Sequence, residues 1–239
     1  MKLNKLLRNL YDTGIHPAFN FIFPQSCHLC GTRLPDGSRY VCPSCLSRLP
    51  RTLFHRMSMN PMEQRLAGKF RFVNATGHFF YAADTDMAIL IHDLKYHHFR
   101  GLAEYLGTLV ATELFSTSFF SDIDGIIPIP MHWLKKARRG YNQTEHIAKG
   151  IGDVLKIPVL SNLTANRPHK TQTRLTAQQR LTNLADSFSV RNPQSLENRH
   201  ILLLDDVCTT GATLTTASDA LLAAAPSLRI SLLTLAVTT

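Results

Sequence analysis

Ile201, Leu202, Leu203 and Leu204 follow one another with no polar alternation. That is the pattern of a short strand covered on both faces, as in a parallel sheet. Further strand signals stand at Gly125 to Pro130, at Val159-Leu160 and at Leu228 to Val237, and residues 70–81 alternate in strand fashion. Between them the period changes. Met87, Leu90, Ile91 and Leu94 recur at helical spacing, as do Leu102, Leu106, Leu109 and Val110, and the alanine-rich run Ala212 to Ala225 reads as a helix. Strands interleaved with helices predict an α/β fold, a doubly wound parallel sheet with right-handed crossovers. Pro50 to Gly68, polar and basic with Met57, Met59 and Met62, reads as a linker or a covering segment. Leu3, Leu6, Leu7 and Leu10 form one apolar helical stripe beside basic residues. It is expected to pack on the protein itself, with contact to a membrane surface as the other reading.

The chain has 239 residues, enough for one good core and a small extra module. The expected division is residues 1–50 and 51–239. No run of about 18 apolar residues is present, so no membrane-spanning helix is expected. The first residues lack the sustained apolar core of an export signal. Net charge adds something the pattern does not: +9, with a pI near 9.6. Phosphorylated metabolites, nucleic acid and acidic lipid are the classes of partner such a balance attracts.

Two Cys-x-x-Cys pairs, Cys27/Cys30 and Cys42/Cys45, are separated by eleven residues that include Gly31, Pro35, Asp36 and Gly37. A turn in that gap lets four thiolates converge on one tetrahedral metal. Structural zinc is the expectation, because four thiolates leave no open position, and iron in similar geometry is the alternative. Two disulfides would need an oxidising compartment. His28 has no place in a shell already complete.

The chemistry richest in detail follows Leu204. Asp205 and Asp206 come first, then Cys208, Thr209, Thr210, Gly211, Ala212 and Thr213, and then the alanine-rich helix. Small residues opening a helix direct backbone N–H groups and the helix dipole at one spot, where a phosphate is held with threonine hydroxyls as further donors. The two acids, at the carboxyl end of a parallel strand, are placed to accept hydrogen bonds from sugar hydroxyls. A second cationic stretch, Met131 to Gln143, follows the neighbouring strand and carries Lys135, Lys136, Arg138, Arg139, Gly140, Asn142 and Gln143. It is expected to face the same crevice and to neutralise a diphosphate. Residues 166–188, polar and basic with Lys170 and Arg180, suit a flap over a phosphate ligand. Aromatics interleaved with cations at Tyr96 to Arg100 and at Phe70-Arg71-Phe72 are either base-stacking platforms or core residues.

The segment from Asp205 to Thr213 resembles the PRPP-binding signature of the type I phosphoribosyltransferases. Taken in order, the four-cysteine knuckle, Leu94-Lys95-Tyr96, Pro128-Ile129-Pro130-Met131-His132, Arg138 to Gln143 and the Asp205 segment resemble the ComF/GntX family of competence-associated proteins; Tyr141 stands where that family commonly has phenylalanine. The resemblance implies PRPP with magnesium as ligand, Asp205 and Asp206 on the ribose, and Thr173, Gln178, Arg180 and Asn183 in the flap. It also implies a role in natural transformation: cytoplasmic handling of incoming single-stranded DNA beside a helicase and the membrane channel, with peripheral association at the inner membrane face left open. An active phosphoribosyltransferase of nucleotide metabolism and a non-catalytic PRPP sensor are the alternatives; no stretch announces an acceptor pocket.

Overall fold

The computed structural model describes residues 25–96, 99–166 and 187–238, with Arg138 described in its backbone alone. The Leu3 to Leu10 stripe, His97, His98 and the flap residues Lys170, Thr173, Gln178, Arg180 and Asn183 lie outside the described residues. The chain divides into two compact units, the first ending at Leu49 and the second running from Pro50.

In the first unit the backbone turns tightly at the first cysteine pair: Cys27 N–H donates to Thr32 O at 2.8 Å and Gly31 N–H to Cys27 O at 2.9 Å. The second pair sits on a short helix, α1 (Pro43–Arg48), with Cys42 as N-cap and proline at the first position. There its missing N–H costs nothing and its fixed φ fits the helix.

The second unit is built on a four-stranded, wholly parallel sheet. Its elements in chain order are α2 (Pro61–Leu66), β1 (Ala75–Tyr81), α3 (Asp86–Tyr96), α4 (Arg100–Leu114), β2 (Gly125–Pro128), α5 (Trp133–Arg139), α6 (Gln143–Leu155), β3 (Leu163–Ala165), β4 (Phe188–Val190), β5 (His200–Cys208), α7 (Ala212–Ala224) and β6 (Arg229–Thr238). The sheet order is β1-β6-β5-β2, with Pro128 opposite Leu204 and Asp205 opposite Thr234. Val159 adds one parallel bridge to Ile126 at the β2 edge. β3 and β4 form a separate antiparallel pair.

Leu202, Leu203 and Leu204 are fully buried, as expected of a strand covered on both faces. β5 runs on to Cys208, however, so the two acids lie inside the strand rather than after it. Ladder pairing of Asp205 and Val207 with β6 supplies the hydrogen bonds that carry the strand past its apolar run. Met87, Leu90, Ile91 and Leu94 of α3 are all buried. In α4, Leu102, Leu106 and Val110 face inward, whereas Leu109 is only partly covered and Ala103, Ala111 and Leu114 complete the inner face.

Residues 50–68 prove to be a covering segment. Phe54, Met62 and Leu66 belong to the core beside Ile201, Leu203 and Leu232. Asn60 caps α2 with a complete capping box through Glu63. Phe70 and Phe72 are partly buried and pack against that core rather than standing free as platforms. α6 meets α4 so closely that a Cβ on Gly150 would lie 2.1 Å from Glu104 O.

Candidate functional site

At the carboxyl ends of β2 and β5 a cavity of about 240 Å³ opens, lined by Lys95, the stretch Ile129 to His132, Lys135, Arg139, Asn142 to Thr144, Asp205 to Val207, and Thr213. The crevice at strand ends is where open α/β sheets hold ligands. Three crossovers meet there: the end of α3, the loop and helix after β2, and the turn from β5 into α7.

Asp206 is the floor's most committed group. Its Oδ1 accepts from Val207 N–H at 2.7 Å; its Oδ2 accepts from Gln143 Nε2 at 2.8 Å and lies 3.3 Å from Lys95 Nζ. Asp205 Oδ1 accepts from Asp206 N–H at 2.8 Å. Burial, and then the adjacent Asp206 charge, push the Asp205 carboxyl well above the usual carboxylate range. Gln143 is 5% exposed, and its Oε1 is buried with no hydrogen-bond partner among the described residues. With its NH2 group donating to Asp206, that oxygen is left as a buried, unused acceptor on the side chain that holds the acid.

The basic loop reaches the cavity in part. Lys135 and Arg139 line it, whereas Lys136 pairs with Glu145 at 2.9 Å and points elsewhere. Arg139 also stacks on Tyr96, 5.5 Å from the ring centroid. Gly140 takes φ +70° to end α5, and its carbonyl accepts from Arg100 Nη2 at 3.0 Å. Asn142, expected on the diphosphate, spends its amide on architecture: Nδ2 donates to Ile129 O at 3.1 Å and Oδ1 accepts from Thr144 N–H at 3.3 Å to cap α6.

The threonine loop divides likewise. Thr213 lines the cavity. Thr209 and Thr210 are exposed, with their carbonyls accepting from Arg65 Nη1 at 2.6 Å and Lys69 Nζ at 3.1 Å. Cys208, counted with the phosphate loop, is buried in the core, and burial raises its thiol. Gly211 needs to be glycine twice over: φ is +78°, and a Cβ would lie 2.5 Å from Leu66 Cδ2. Ala212, exposed at the start of α7, has no side-chain polar group to offer.

Lys95 and His132 were not expected as site residues. Lys95 is the one cation in α3's last turn, after a run of inward apolar residues. His132 caps α5 by accepting from Leu134 N–H at Nδ1, 3.2 Å away, and is 5% exposed. Their positions inside quoted motifs were the only sequence signal.

The four cysteines of the first unit converge, their sulfurs all within 4.8 Å of one another. Cys27 Sγ accepts from Cys42 N–H at 3.3 Å, and Cys45 Sγ accepts from Arg48 Nη2 at 3.2 Å. The Thr32 hydroxyl lowers Cys30 to about 6, while burial and then the neighbouring thiols push Cys45 up to about 12. Four sulfurs converging on one point leave no open position and fit a tetrahedral site completed by a cation, as structural zinc requires.

Residues 129–237 match the family described as the phosphoribosyl transferase domain, a little under half of the chain. Among curated proteins, the chain is 38% identical over 93 residues to competence protein F of Haemophilus influenzae, covering 38% of this chain and 41% of that protein. It is 27% identical over 205 residues to DNA utilization protein YhgH of Escherichia coli O157:H7, covering 82% and 83% of the two chains. The chain is therefore a homologue of competence protein F and YhgH, with a match to the phosphoribosyl transferase domain and a four-cysteine cluster that could hold a metal. The match to competence protein F spans less than half of that protein's length. Among solved structures, glutamine PRPP amidotransferase from B. subtilis complexed with ADP and GMP superposes with a TM-score of 0.38 and 18% identity, over 56% of this chain and 26% of its own. Adenine phosphoribosyltransferase from Leishmania tarentolae gives 0.37 and 12%, over 76% and 89%.

Proposed function

We propose that the cleft between β2 and β5 takes a 5-phosphoribosyl ligand, PRPP or a related sugar phosphate, in a competence-associated protein that handles single-stranded DNA in the cytoplasm. The observation that carries the reading is the cleft itself, where paired acids on β5, Thr213 on α7 and the cations Lys135 and Arg139 face one space. In this reading Thr213 and the first-turn amides of α7 take the 5-phosphate, Asp205 and Asp206 the ribose hydroxyls, and Lys135 and Arg139 the diphosphate, with Arg138 and Lys170 expected on the same ligand from their charge and place in the sequence and Arg180 also by resemblance. The phosphoribosyl transferase match over residues 129–237 supports it.

The donors present fit magnesium. Asp205, Asp206 and the orphaned Oε1 of Gln143 are hard oxygens of the kind that ion takes. When bound with a diphosphate, magnesium would neutralise leaving-group charge; the chain's own share is to orient the sugar and to present fixed positive charge.

The DNA part draws on the names of the relatives and on a charged rim. Trp133 is 67% exposed at the start of the helix that carries Lys135 and Arg139, and Tyr96 is 59% exposed beneath Arg139. Rings interleaved with cations stack bases while following phosphates.

The deciding experiment is calorimetry with PRPP, with and without magnesium, on wild type and on the Asp205→Asn, Asp206→Asn double variant. Binding that falls by more than about tenfold in the variant supports the reading, since paired acids on ribose hydroxyls are worth at least ~1.4 kcal/mol together. Equal binding by the two proteins would refute it.

A further inference from the structure

We propose that Lys95 is a built-in counter-ion that keeps divalent metal off the acid pair until a phosphorylated ligand draws it away. The starting point is a mismatch between supply and use at the floor of the cleft. Asp205, Asp206 and Gln143 present oxygens suited to a hard divalent cation, and one of them, Gln143 Oε1, is buried without a partner among the described residues. Yet the floor already holds a positive charge, because Lys95 Nζ stands 3.3 Å from Asp206 Oδ2.

Asp206 is the acid whose charge Lys95 balances, Asp205 being pushed above the usual carboxylate range by burial and by its neighbour. The position of Lys95 favours the role. It lies in the last turn of α3, where the helix dipole supports a cation, and its side chain is 26% exposed. A four-carbon stem lets the ammonium swing without moving the helix, whose Met87, Leu90, Ile91 and Leu94 are packed in the core. A metal ion arriving alone meets an Asp206 oxygen already shared by Gln143 and Lys95, and must displace the lysine against its attraction to that carboxylate. A ligand bearing phosphates changes the balance, since Lys95 then has a second anion to turn to, beside Lys135 and Arg139 on the same cavity wall. Metal and ligand therefore bind together more readily than either alone. That last step rests on the sugar-phosphate reading; the exclusion of metal by Lys95 does not.

The test uses manganese(II) alone, with free ion followed by its electron paramagnetic resonance signal, on the full-length protein carrying its knuckle metal. Lys95→Met is expected to bind one further ion about tenfold or more tightly than wild type, the scale set by removing a like charge next to the site. Lys95→Arg is expected to behave as wild type. Lys95→Gln, which keeps a polar stem, serves where Lys95→Met fails to fold, with melting curves checking both. Adding Gln143→Leu to the neutral variant should take the gain away. Equal manganese affinity in wild type and the folded neutral variants overturns the proposal, as does a gain in Lys95→Arg equal to that in Lys95→Met. Ribose 5-phosphate is expected to raise the manganese affinity of wild type and leave that of Lys95→Met nearly unchanged. If ribose 5-phosphate and PRPP fail to bind any variant while Lys95→Met still gains the ion, the sugar-phosphate reading falls and the metal exclusion stands.

Discussion

The phenol of Tyr141 donates to the main-chain carbonyl of Leu94, joining the turn that ends α5 to the last turn of α3 one residue before Lys95. Arg100 adds a second tie by donating to Gly140 O at 3.0 Å and resting over the Tyr141 ring. The cationic loop and Lys95 thus reach the cavity from elements locked to one another.

Tyr141→Phe should cost about 1 kcal/mol, the net worth of one buried hydrogen bond whose acceptor is left unpaired. Burial pushes the phenol up to about 12, so it stays a donor through the physiological range. Thermal melts of wild type and variant check this, and an unchanged midpoint would mean the Leu94 carbonyl finds another donor.

Gly211→Ala should destabilise by about 1–3 kcal/mol, because the new methyl meets both a positive φ and Leu66 Cδ2. Pairing it with Leu66→Ala relieves the clash while keeping the φ strain and opening a cavity. Urea unfolding of the single and double variants should therefore give a double variant less damaged than the sum of its parts.

Acid should weaken the second unit through Glu113. Burial alone would raise this carboxyl, but the hydrogen bond from His78 at 2.9 Å and the Arg51 fork at 2.6 and 2.7 Å outweigh it and hold it down to about 2. A depressed carboxylate contributes stability that is complete above its unfolded value near 4.5 and is lost as pH falls toward about 2. Glu113→Gln should lose roughly 1–3 kcal/mol near neutrality and show a flatter profile between those limits. Denaturant unfolding at several pH values measures the slope.

Metal analysis of the purified protein should find about one zinc per chain, lost together with protease resistance of residues 25–49 when Cys45 becomes alanine. Iron in its place would show as colour and would correct the metal while keeping the site.

The single tryptophan offers a reporter, since Trp133 stands exposed next in the chain to the cavity-lining His132. Its fluorescence should fall on adding oligothymidylate, less so as salt rises, and barely respond to ribose 5-phosphate. Quenching by the sugar phosphate alone would place the response in the cavity rather than on a strand.

Much of the fold was legible because it is local. Four apolar residues without alternation announce a strand covered on both faces, and the repeat through Met87, Leu90, Ile91 and Leu94 announces a helix and its inner face. The limits of that reading are local too: β5 continues through Asp205 and Asp206 because of its ladder with β6, which no pattern along β5 itself reveals. The cationic stretch after β2 read as one cluster, yet Lys136 turned to Glu145 and Asn142 turned to capping. Residue type marks a capacity, and the neighbours decide its use.

By itself, then, the sequence determined the four-cysteine spacing, the alternation of strand and helix, and the order of acids, small loop and helix after Leu204, each a matter of residues close along the chain. Only the tertiary structure decided that Gln143 and Lys95 converge on Asp206, 63 and 111 residues away along the chain, and that Cys208 faces the core. The reason is geometric. Crossovers bring separate segments to one sheet end, and which side chains meet there depends on the register of strands and the seating of helices, set by packing summed over the whole unit.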